Sequence, residues 1–175
     1  MLFRSFVAAH TEDRTLFYFF HVVGRDGTKE LPAIELLSFE RTTADREASD
    51  NLGIVPGARV IRVRNLLRLS GTPVILDHIT IPAARFPGLT EAAYRRRDST
   101  IYGLYQARYG ISVIRIRERL SAVTAAGEAT RLLGVRPGSP LLEIRRVAFT
   151  YDDVPVEWRV SLVDTRRHDY LNDLQ

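Results

Sequence analysis

The sequence predicts an α+β domain in which helices flank a mostly antiparallel sheet, built from two copies of one helix-plus-hairpin unit. Three observations lead to this prediction. The strand-like segments arrive as hairpins with short turns rather than as strand–helix–strand crossovers. A pattern of Gly, Pro and Ala positions occurs twice at a constant spacing. The hydrophobic and charged fractions, 45% and 26%, are those of an ordinary globular protein.

The internal repeat can be followed residue by residue. The offset is 81 positions, as between Leu52 and Leu133. Two copies are too few for a solenoid, which needs at least about three stacked units. They predict a pseudo-symmetric domain with a seam between its halves, where small-molecule clefts tend to lie. The recurring pairs are Thr43/Thr124, Ala44/Ala125, Glu47/Glu128, Ala48/Ala129, Leu52/Leu133, Gly53/Gly134, Pro56/Pro137 and Gly57/Gly138.

Two strands are predicted before the first helix. The aromatic and β-branched segment Leu16–Val23 predicts a buried strand, and Ile34–Thr42 predicts a second one. Thr43 is expected to cap a helix over Ala44–Leu52. Gly53 is expected to end that helix, because glycine readily adopts the left-handed conformation found after helices.

A hairpin is predicted next, with strands Arg59–Leu69 and Pro73–Ile81 around the two-residue loop Ser70–Gly71. This loop length places Arg64 directly opposite Asp77 and predicts a cross-strand ion pair. Asp77 also shares its strand face with isoleucines, where a carboxylate is costly unless it is paired. Asp77 is therefore a candidate for either a structural ion pair or a ligand site.

The remaining elements follow the same turn and capping signals. Ser99 or Thr100 is expected to cap the central helix, and the arginine-rich run Tyr94–Arg97 is expected to be a solvated loop. In chain order the sequence predicts a proline-bounded loop (Pro82–Leu89), a helix (Ile101–Gly110), a strand (Ser112–Val123), a Thr124-capped helix ending at Gly134 and a hairpin (Leu141–Thr165).

Composition excludes several classes of function. The absence of cysteine excludes thiol catalysis, Cys-ligated zinc and disulfides, and the four histidines lack metal-ligand spacing, so no metal or cofactor is expected. No apolar run approaches the roughly 18 residues of a membrane span, and the start does not fit a signal peptide. A cytoplasmic chain without a membrane partner is predicted. The net charge of +4 admits nucleic acid, but no helix-turn-helix pattern is present.

A series of motifs resembles one family. It comprises G-V-R-P-G-S-P-L-L-E-I-R-R from Gly134, then D-D-V-P-V-E-W-R, G-x-P-V from Gly71, I-P-x-x-x-F-P-G-L from Ile81 and Thr100-x-Tyr102. The ordered series resembles the UTRA domain, the effector-binding module of the HutC branch of GntR-type bacterial transcription regulators. The similarity covers about residues 16 to 172. It implies a chorismate lyase-like fold, a small-molecule effector and a homodimer.

The resemblance also implies a domain organisation. Such regulators carry an N-terminal winged-helix domain, and Ser5-Phe6-Val7 resembles the end of its wing strand. Residues 1–15 are therefore expected to be the linker that follows a winged-helix domain missing from this chain, and residues 16–175 the effector-binding domain. Contact with operator DNA is expected only through the missing domain.

The effector site is predicted partly from the resemblance. Thr100 and Tyr102 match a Ser-x-Tyr at a helix start, where they either contact ligand or merely cap and pack. Glu157 matches a glutamate of the family's pockets, and Arg159 beside it faces either the cleft or solvent. The family often has Arg-x-Arg with an acid ten residues beyond. With Asp77 as that acid, this chain has Asn65 and Leu67 instead.

Loss of that arginine fork argues against a phosphosugar effector and favours a carboxylate- or amine-bearing metabolite. The predicted effector-binding residues are Arg64, Asn65, Asp77, Thr100, Tyr102, Glu157 and Arg159.

Two other functions stay open at this point. The fold implied by the resemblance is shared with a lyase that removes pyruvate from chorismate, and Arg64, Arg159 and Glu157 could hold a carboxylated substrate in such an enzyme. A structural dimerisation module with a vestigial pocket is the third reading. If the chain is an effector-binding domain or a structural module, the sheet edges left by so many strands predict that it forms a homodimer.

Overall fold

The computed structural model describes residues 19–97 and 100–172. These residues contain eight strands and four α-helices. The strands are β1 (Val22–Gly24), β2 (Ala33–Thr43), β3 (Arg59–Leu69), β4 (Thr72–Pro82), β5 (Arg115–Thr124), β6 (Pro140–Phe149), β7 (Pro155–Val163) and β8 (His168–Tyr170). The helices are α1 (Arg46–Leu52), α2 (Glu91–Arg95), α3 (Ile101–Tyr109) and α4 (Gly127–Leu133).

Six of these strands form one antiparallel sheet in the order β2-β3-β4-β7-β6-β5. The first repeat contributes β2, β3 and β4, and the second contributes β5, β6 and β7. The two repeats join where β4 pairs with β7, at the centre of the sheet. A separate two-stranded sheet pairs β1 with β8. The predicted α+β class, with a mostly antiparallel sheet flanked by helices, is confirmed.

The repeat seen in the sequence is also a repeat in space. The bounds of α1 and α4 differ by 81 positions at both ends. Equivalent backbone hydrogen bonds close the two turns: Ala44 N donates to Ala58 O at 2.8 Å, and Ala125 N donates to Ser139 O at 2.7 Å. The two hairpin turns differ in length: residues 70–71 connect β3 to β4, and residues 150–154 connect β6 to β7.

The helix of each repeat packs against a strand of the other repeat. Helix α1 packs against β7 and α4 packs against β4. Two ion pairs accompany this exchange: Arg64 on β3 pairs with Glu128 on α4, and Arg145 on β6 pairs with Glu47 on α1 at 2.8 Å. The two pairs correspond under the repeat, because Arg64 and Arg145 are 81 positions apart and so are Glu47 and Glu128. The exchange ties the halves together on one face of the sheet.

The other sheet face is covered by α2, α3 and the segment around Phe19. Its largest core side chains include Phe86, Tyr94 and Tyr105, which are fully buried. Burial of side chains of this size stabilises the fold by roughly 1.5–3 kcal/mol each. The prediction that Tyr94–Arg97 is a solvated loop is wrong for Tyr94 and Arg95, because both lie in α2 and Tyr94 packs in the core.

The short strands β1 and β8 are fastened to β5 and β6 by a partly buried network, which we call the clasp. Tyr170 donates a hydrogen bond to Glu118, and His21 Nδ1 lies 2.5 Å from the Tyr170 hydroxyl. Arg146 donates to Glu118 at 2.6 Å and to the Phe19 carbonyl at 2.6 Å. Burial alone would raise the pKa of Glu118, but hydrogen bonds from His21 and Tyr170 and the charge of Arg146 lower it to about 2.

Three predicted boundaries are corrected. Of the predicted strand Leu16–Val23, the first three residues lie outside the described residues, and in the remainder only Val22 and Val23 are in a strand. Thr43 is the last residue of β2 rather than a cap. Likewise, Thr124 ends β5.

The actual N-caps differ between the repeats. Asp45 caps α1, because its carboxylate accepts a hydrogen bond from Ala48 N at 2.8 Å. The equivalent residue before α4 is Ala126, whose methyl group cannot accept a hydrogen bond. Its backbone, with φ of −144° and ψ of 162°, nevertheless has the conformation of a capping residue. The second helix therefore starts without a bond that the first one has.

We expect Ala126→Asp to stabilise the chain and Asp45→Ala to destabilise it, each by about 0.5–2 kcal/mol. Urea unfolding at neutral pH measures both. Asp45→Asn, which keeps a capping oxygen, is the control and should lose much less than Asp45→Ala. Hydrogen bonding to Ala48 lowers the pKa of Asp45, so its contribution is present above the unfolded pKa and is lost as pH falls through the folded one. Equal stability of all variants would contradict the assignment.

Candidate functional site

Three polar side chains form a row across the centre of the sheet, on the face covered by α2 and α3. Asn65 on β3 lies opposite Asp77 on β4, and Asp77 lies opposite Ser161 on β7. All three residues are buried. Ser161 Oγ donates a hydrogen bond to Asp77 Oδ1 at 2.5 Å. The row therefore crosses the seam between the two repeats.

Glu157 lies beside this row and is fully buried. Its carboxylate accepts hydrogen bonds from the Tyr102 hydroxyl at 3.1 Å, the Tyr105 hydroxyl at 2.7 Å and Arg159 Nε at 2.9 Å. Tyr102 and Tyr105 are three residues apart on α3, a spacing that puts both side chains on one helix face. These three hydrogen bonds replace those that the carboxylate would form with water and so offset the cost of burying its charge.

Arg159 connects the two acids. Its Nη1 donates to Asp77 Oδ2 at 3.2 Å while its Nε bonds Glu157. Its Nη2 lies 2.9 Å from Glu157 Oε1 but forms no hydrogen bond. Burial alone would lower the pKa of Arg159, but the carboxylates of Glu157 and Asp77 raise it well above its usual value. Arg159 is thus a fixed positive charge between two acids.

The tyrosines above the acids remain protonated. Burial, reinforced by the negative charge of Glu157, raises the pKa of Tyr102 to about 12. The same two causes raise the pKa of Tyr105 well above its usual value. Both hydroxyls therefore act as hydrogen-bond donors toward Glu157 at neutral pH.

One buried acceptor at the site is unused. Asn65 Nδ2 donates to the Tyr94 hydroxyl at 2.9 Å, but Asn65 Oδ1 has no hydrogen-bond partner. Buried polar atoms without partners are uncommon and often mark places where another group binds. We call Asn65, Asp77, Glu157, Arg159 and Ser161 the seam cluster.

Thr100 acts on the site through α3. Its hydroxyl accepts a hydrogen bond from Gly103 N at 3.0 Å, which makes Thr100 the N-cap of this helix. The cap fixes the start of α3 and with it the position of Tyr102. The capping role predicted for Thr100 is confirmed, while contact with an effector stays a prediction.

The predicted pairing of Arg64 with Asp77 is wrong. The hairpin begins in the expected register, with Leu69 opposite Thr72, but a bulge between Leu67 and Arg68 shifts the rest by one residue. Asn65 therefore faces Asp77. Arg64 lies on the opposite sheet face, where it pairs with Glu128. A shift of one residue moves a side chain from one face to the other.

Arg64 instead lines a groove of about 510 Å³ beside α1, with Glu47 of that helix in its wall. Its lining includes Arg62, His78, Arg145 and Trp158. The lining guanidinium groups pair with carboxylates on the rim, such as that of Asp45 with Arg62. This groove is separated from the seam cluster by the sheet.

The structure brings five of the seven predicted residues together: Asn65, Asp77, Tyr102, Glu157 and Arg159. The sequence analysis missed three others. Tyr105 shares a helix face with Tyr102, and Ser161 continues the alternation of Glu157 and Arg159 on β7, so both had a periodic signal. Tyr94 had none, because the helix that carries it was not predicted.

Two further observations concern the described residues. In the ranges 19–97 and 100–172, no group of three or more His, Asp or Glu side chains is arranged to hold a metal ion. No helix in this part of the chain is long and apolar enough to cross a membrane.

Comparison with known proteins gives a consistent family. The family model of the UTRA domain matches residues 29–169. The repressor PhnF of Mycolicibacterium smegmatis is 30% identical over 127 residues, which is 73% of this chain and 51% of that protein. A probable repressor of the fructoselysine utilization operon of Escherichia coli is 27% identical, over 68% of this chain and 52% of the repressor. The chain thus spans about half the length of these curated relatives.

Solved structures agree. The ligand-binding domain of a GntR-family regulator from Bordetella bronchiseptica has a TM-score of 0.84 and 32% identity, and the match covers 90% of this chain and 98% of that one. The effector domain of PhnF from Mycobacterium smegmatis has a TM-score of 0.70 and 28% identity, over 78% of this chain and 83% of that one. By family model, relatives and fold, the chain belongs to the UTRA domain family of the GntR-family transcriptional regulators.

Proposed function

We propose that this chain is the effector-sensing and dimerisation domain of a cytoplasmic GntR-family regulator, and that its effector binds at the seam cluster. The observation that carries the proposal is a charged cluster whose acids are buried, whose arginine side chain is only 13% accessible, and in which polar atoms still lack partners. Such groups cost stability, so a sheet selected only for stability would have apolar residues there. Membership of a family that includes ligand-binding domains supports ligand binding by this chain.

The position of the cluster suggests how binding would be transmitted. Asp77 comes from the first repeat, Arg159 from the second and Tyr102 from the helix between them, so a ligand at the cluster contacts all three parts. An effector shifts the arrangement of two sensing domains only by its difference in affinity for the alternative arrangements. In the proposed regulator, that shift alters the spacing of the winged helices on operator DNA. The winged-helix domain is the one predicted to precede this chain.

The enzymatic alternative is less well supported. A chorismate lyase-like reaction needs arginines that hold the carboxylates of the substrate. Arg159 already bonds two carboxylates of the protein, and Arg64 lies on the other sheet face. The transcriptional regulators among the relatives also favour a sensing role. We propose that the chain is not an enzyme.

The effector class follows from the residues at the first-repeat side of the cluster. Asn65 stands where the family often has an arginine, and Leu67 is packed in an apolar cluster. Two arginines there would grip a phosphate in a fork, which these residues cannot do. A carboxylate- or amine-bearing metabolite is therefore proposed over a sugar phosphate.

We expect Tyr102→Phe to weaken effector binding about tenfold or more, because it removes a hydroxyl that donates to Glu157 in the site. Stability should fall by about 1.5–3 kcal/mol, since one hydrogen bond to a buried carboxylate is lost but no cavity is opened. A thermal-shift screen of metabolites would identify a binder, and calorimetry would then compare the variants.

Tyr109→Phe is the matched control for this experiment. It removes a hydroxyl from the same helix, but one that is buried and without a hydrogen-bond partner. We expect Tyr109→Phe to bind like the unaltered chain. If Tyr102→Phe also binds normally while melting many degrees lower, Tyr102 is a structural residue and the effector site lies elsewhere.

We also expect the chain to be a homodimer at tens of micromolar, joined through a sheet edge. The edge strands β2 and β5 expose Ile34 and Leu120, which are 44% and 49% accessible. Exposed edges of this kind are usually covered by another chain or element. Ile34→Lys and Leu120→Lys, compared by sedimentation, should separate the two edges, because only the variant at the interface should dissociate. A monomeric unaltered chain would contradict the proposal.

A further inference from the structure

We propose that the effector is an organic cation, an ammonium or guanidinium compound, whose positive charge balances the seam cluster; this rests on the proposed function. Among the described residues, the ion pairs of Asp77 and Glu157 are both with Arg159. Two buried carboxylates thus share one guanidinium. The cluster carries one more negative charge than positive charge.

The neighbouring arginines do not cancel this surplus. Arg146 pairs with Glu118 at 2.6 Å, so that pair is neutral by itself. Arg97 lies over the Tyr94 ring at 4.3 Å and donates to the Tyr94 carbonyl, without an ion pair to Asp77 or Glu157. Counted over the groups in hydrogen-bonding contact with the cluster, the surplus remains one negative charge.

The unpartnered polar atoms of the cluster are one acceptor, beside Asp77, and one donor, Arg159 Nη2, which lies against Glu157. Asn65 Oδ1 is a buried acceptor with no donor, directly across the strand pair from Asp77. An ammonium or guanidinium group has only donors, so it can serve both oxygens at once. A carboxylate would meet these acceptors with like charge and no proton to donate.

A surplus charge that awaits a ligand costs stability when the ligand is absent. Removing it should therefore relieve the free protein, whereas removing a carboxylate from a balanced ion pair should harm it. The chain offers a matched comparison. Asp164 is also buried, but its carboxylate forms a two-pronged pair with Arg166 alone.

The first experiment compares the melting temperatures of Asp77→Asn and Asp164→Asn in the full 175-residue chain. We expect Asp77→Asn to melt at or above the unaltered chain and Asp164→Asn to melt lower by about 2–4 °C or more. If the melting temperature of Asp77→Asn falls as far as that of Asp164→Asn, the carboxylates of Asp77 and Glu157 both stabilise Arg159. The proposed surplus of negative charge is then wrong.

The second experiment follows the Tyr102 and Tyr105 ring signals by NMR during titration with n-butylammonium, n-butyrate, n-butanol and glucosamine 6-phosphate. We expect n-butylammonium to bind at least tenfold more tightly than the other three probes. Asp77→Asn should lose most of that preference, because it removes the charge that attracts the cation.

The outcomes separate the two proposals. If n-butyrate or the sugar phosphate binds better, and Tyr102→Phe weakens that binding, the seam cluster is an effector site but the effector is not a cation. If n-butylammonium fails to bind even at high millimolar concentration, the charge assignment is overturned. If the metabolite screen yields a binder that neither Tyr102→Phe nor Asp77→Asn affects, the site itself is wrong.

Discussion

The pairing of β4 with β7 is the contact on which the rest of the structure depends. Without it, the third strand of each repeat would expose a row of unpaired backbone N–H and C=O groups. The pairing covers both edges and joins two three-stranded units into one sheet. It also creates the candidate site, because Asp77 comes from one repeat and Arg159 and Ser161 come from the other. Their contacts exist only in this register.

The two faces of the sheet use charge differently. On the face of α1 and α4, half-exposed ion pairs such as Arg64–Glu128 bind each helix to the opposite repeat, and each pair contributes little by itself. On the other face, charges are buried and unequal in number. Asn65 and Arg146 are repeat equivalents there, 81 positions apart. Arg146 pairs with Glu118 in the clasp, so the cluster has one guanidinium, that of Arg159, for two carboxylates.

The sequence predicted the repeat and the hairpins, because glycine and proline spacing and strand periodicity are local signals. Periodicity also singled out Asp77 and Arg159, whereas Asn65, Tyr102 and Glu157 were chosen from the family resemblance. The bulge that turns Arg64 away from Asp77 was not predictable from the turn, since it depends on how β3 packs against its neighbours. The short helix carrying Tyr94 was missed because five residues give too little periodicity. The charge balance at the seam could not be predicted either, because it depends on the pairing of β4 with β7, which are distant in sequence.

The clasp has a mechanical consequence. Strands β1 and β8 are antiparallel, with Val22 opposite Tyr170 and Gly24 opposite His168, so the chain enters and leaves the sheet side by side. Tension between these two ends loads the pairs one after another, as in opening a zipper, rather than all together in shear. Separating β1 from β8 in this way breaks a ladder of three residue pairs, beginning with Val22 and Tyr170. The clasp bonds from Tyr170 to Glu118 and from Arg146 to Phe19 are then what holds these two strands to the six-stranded sheet under load.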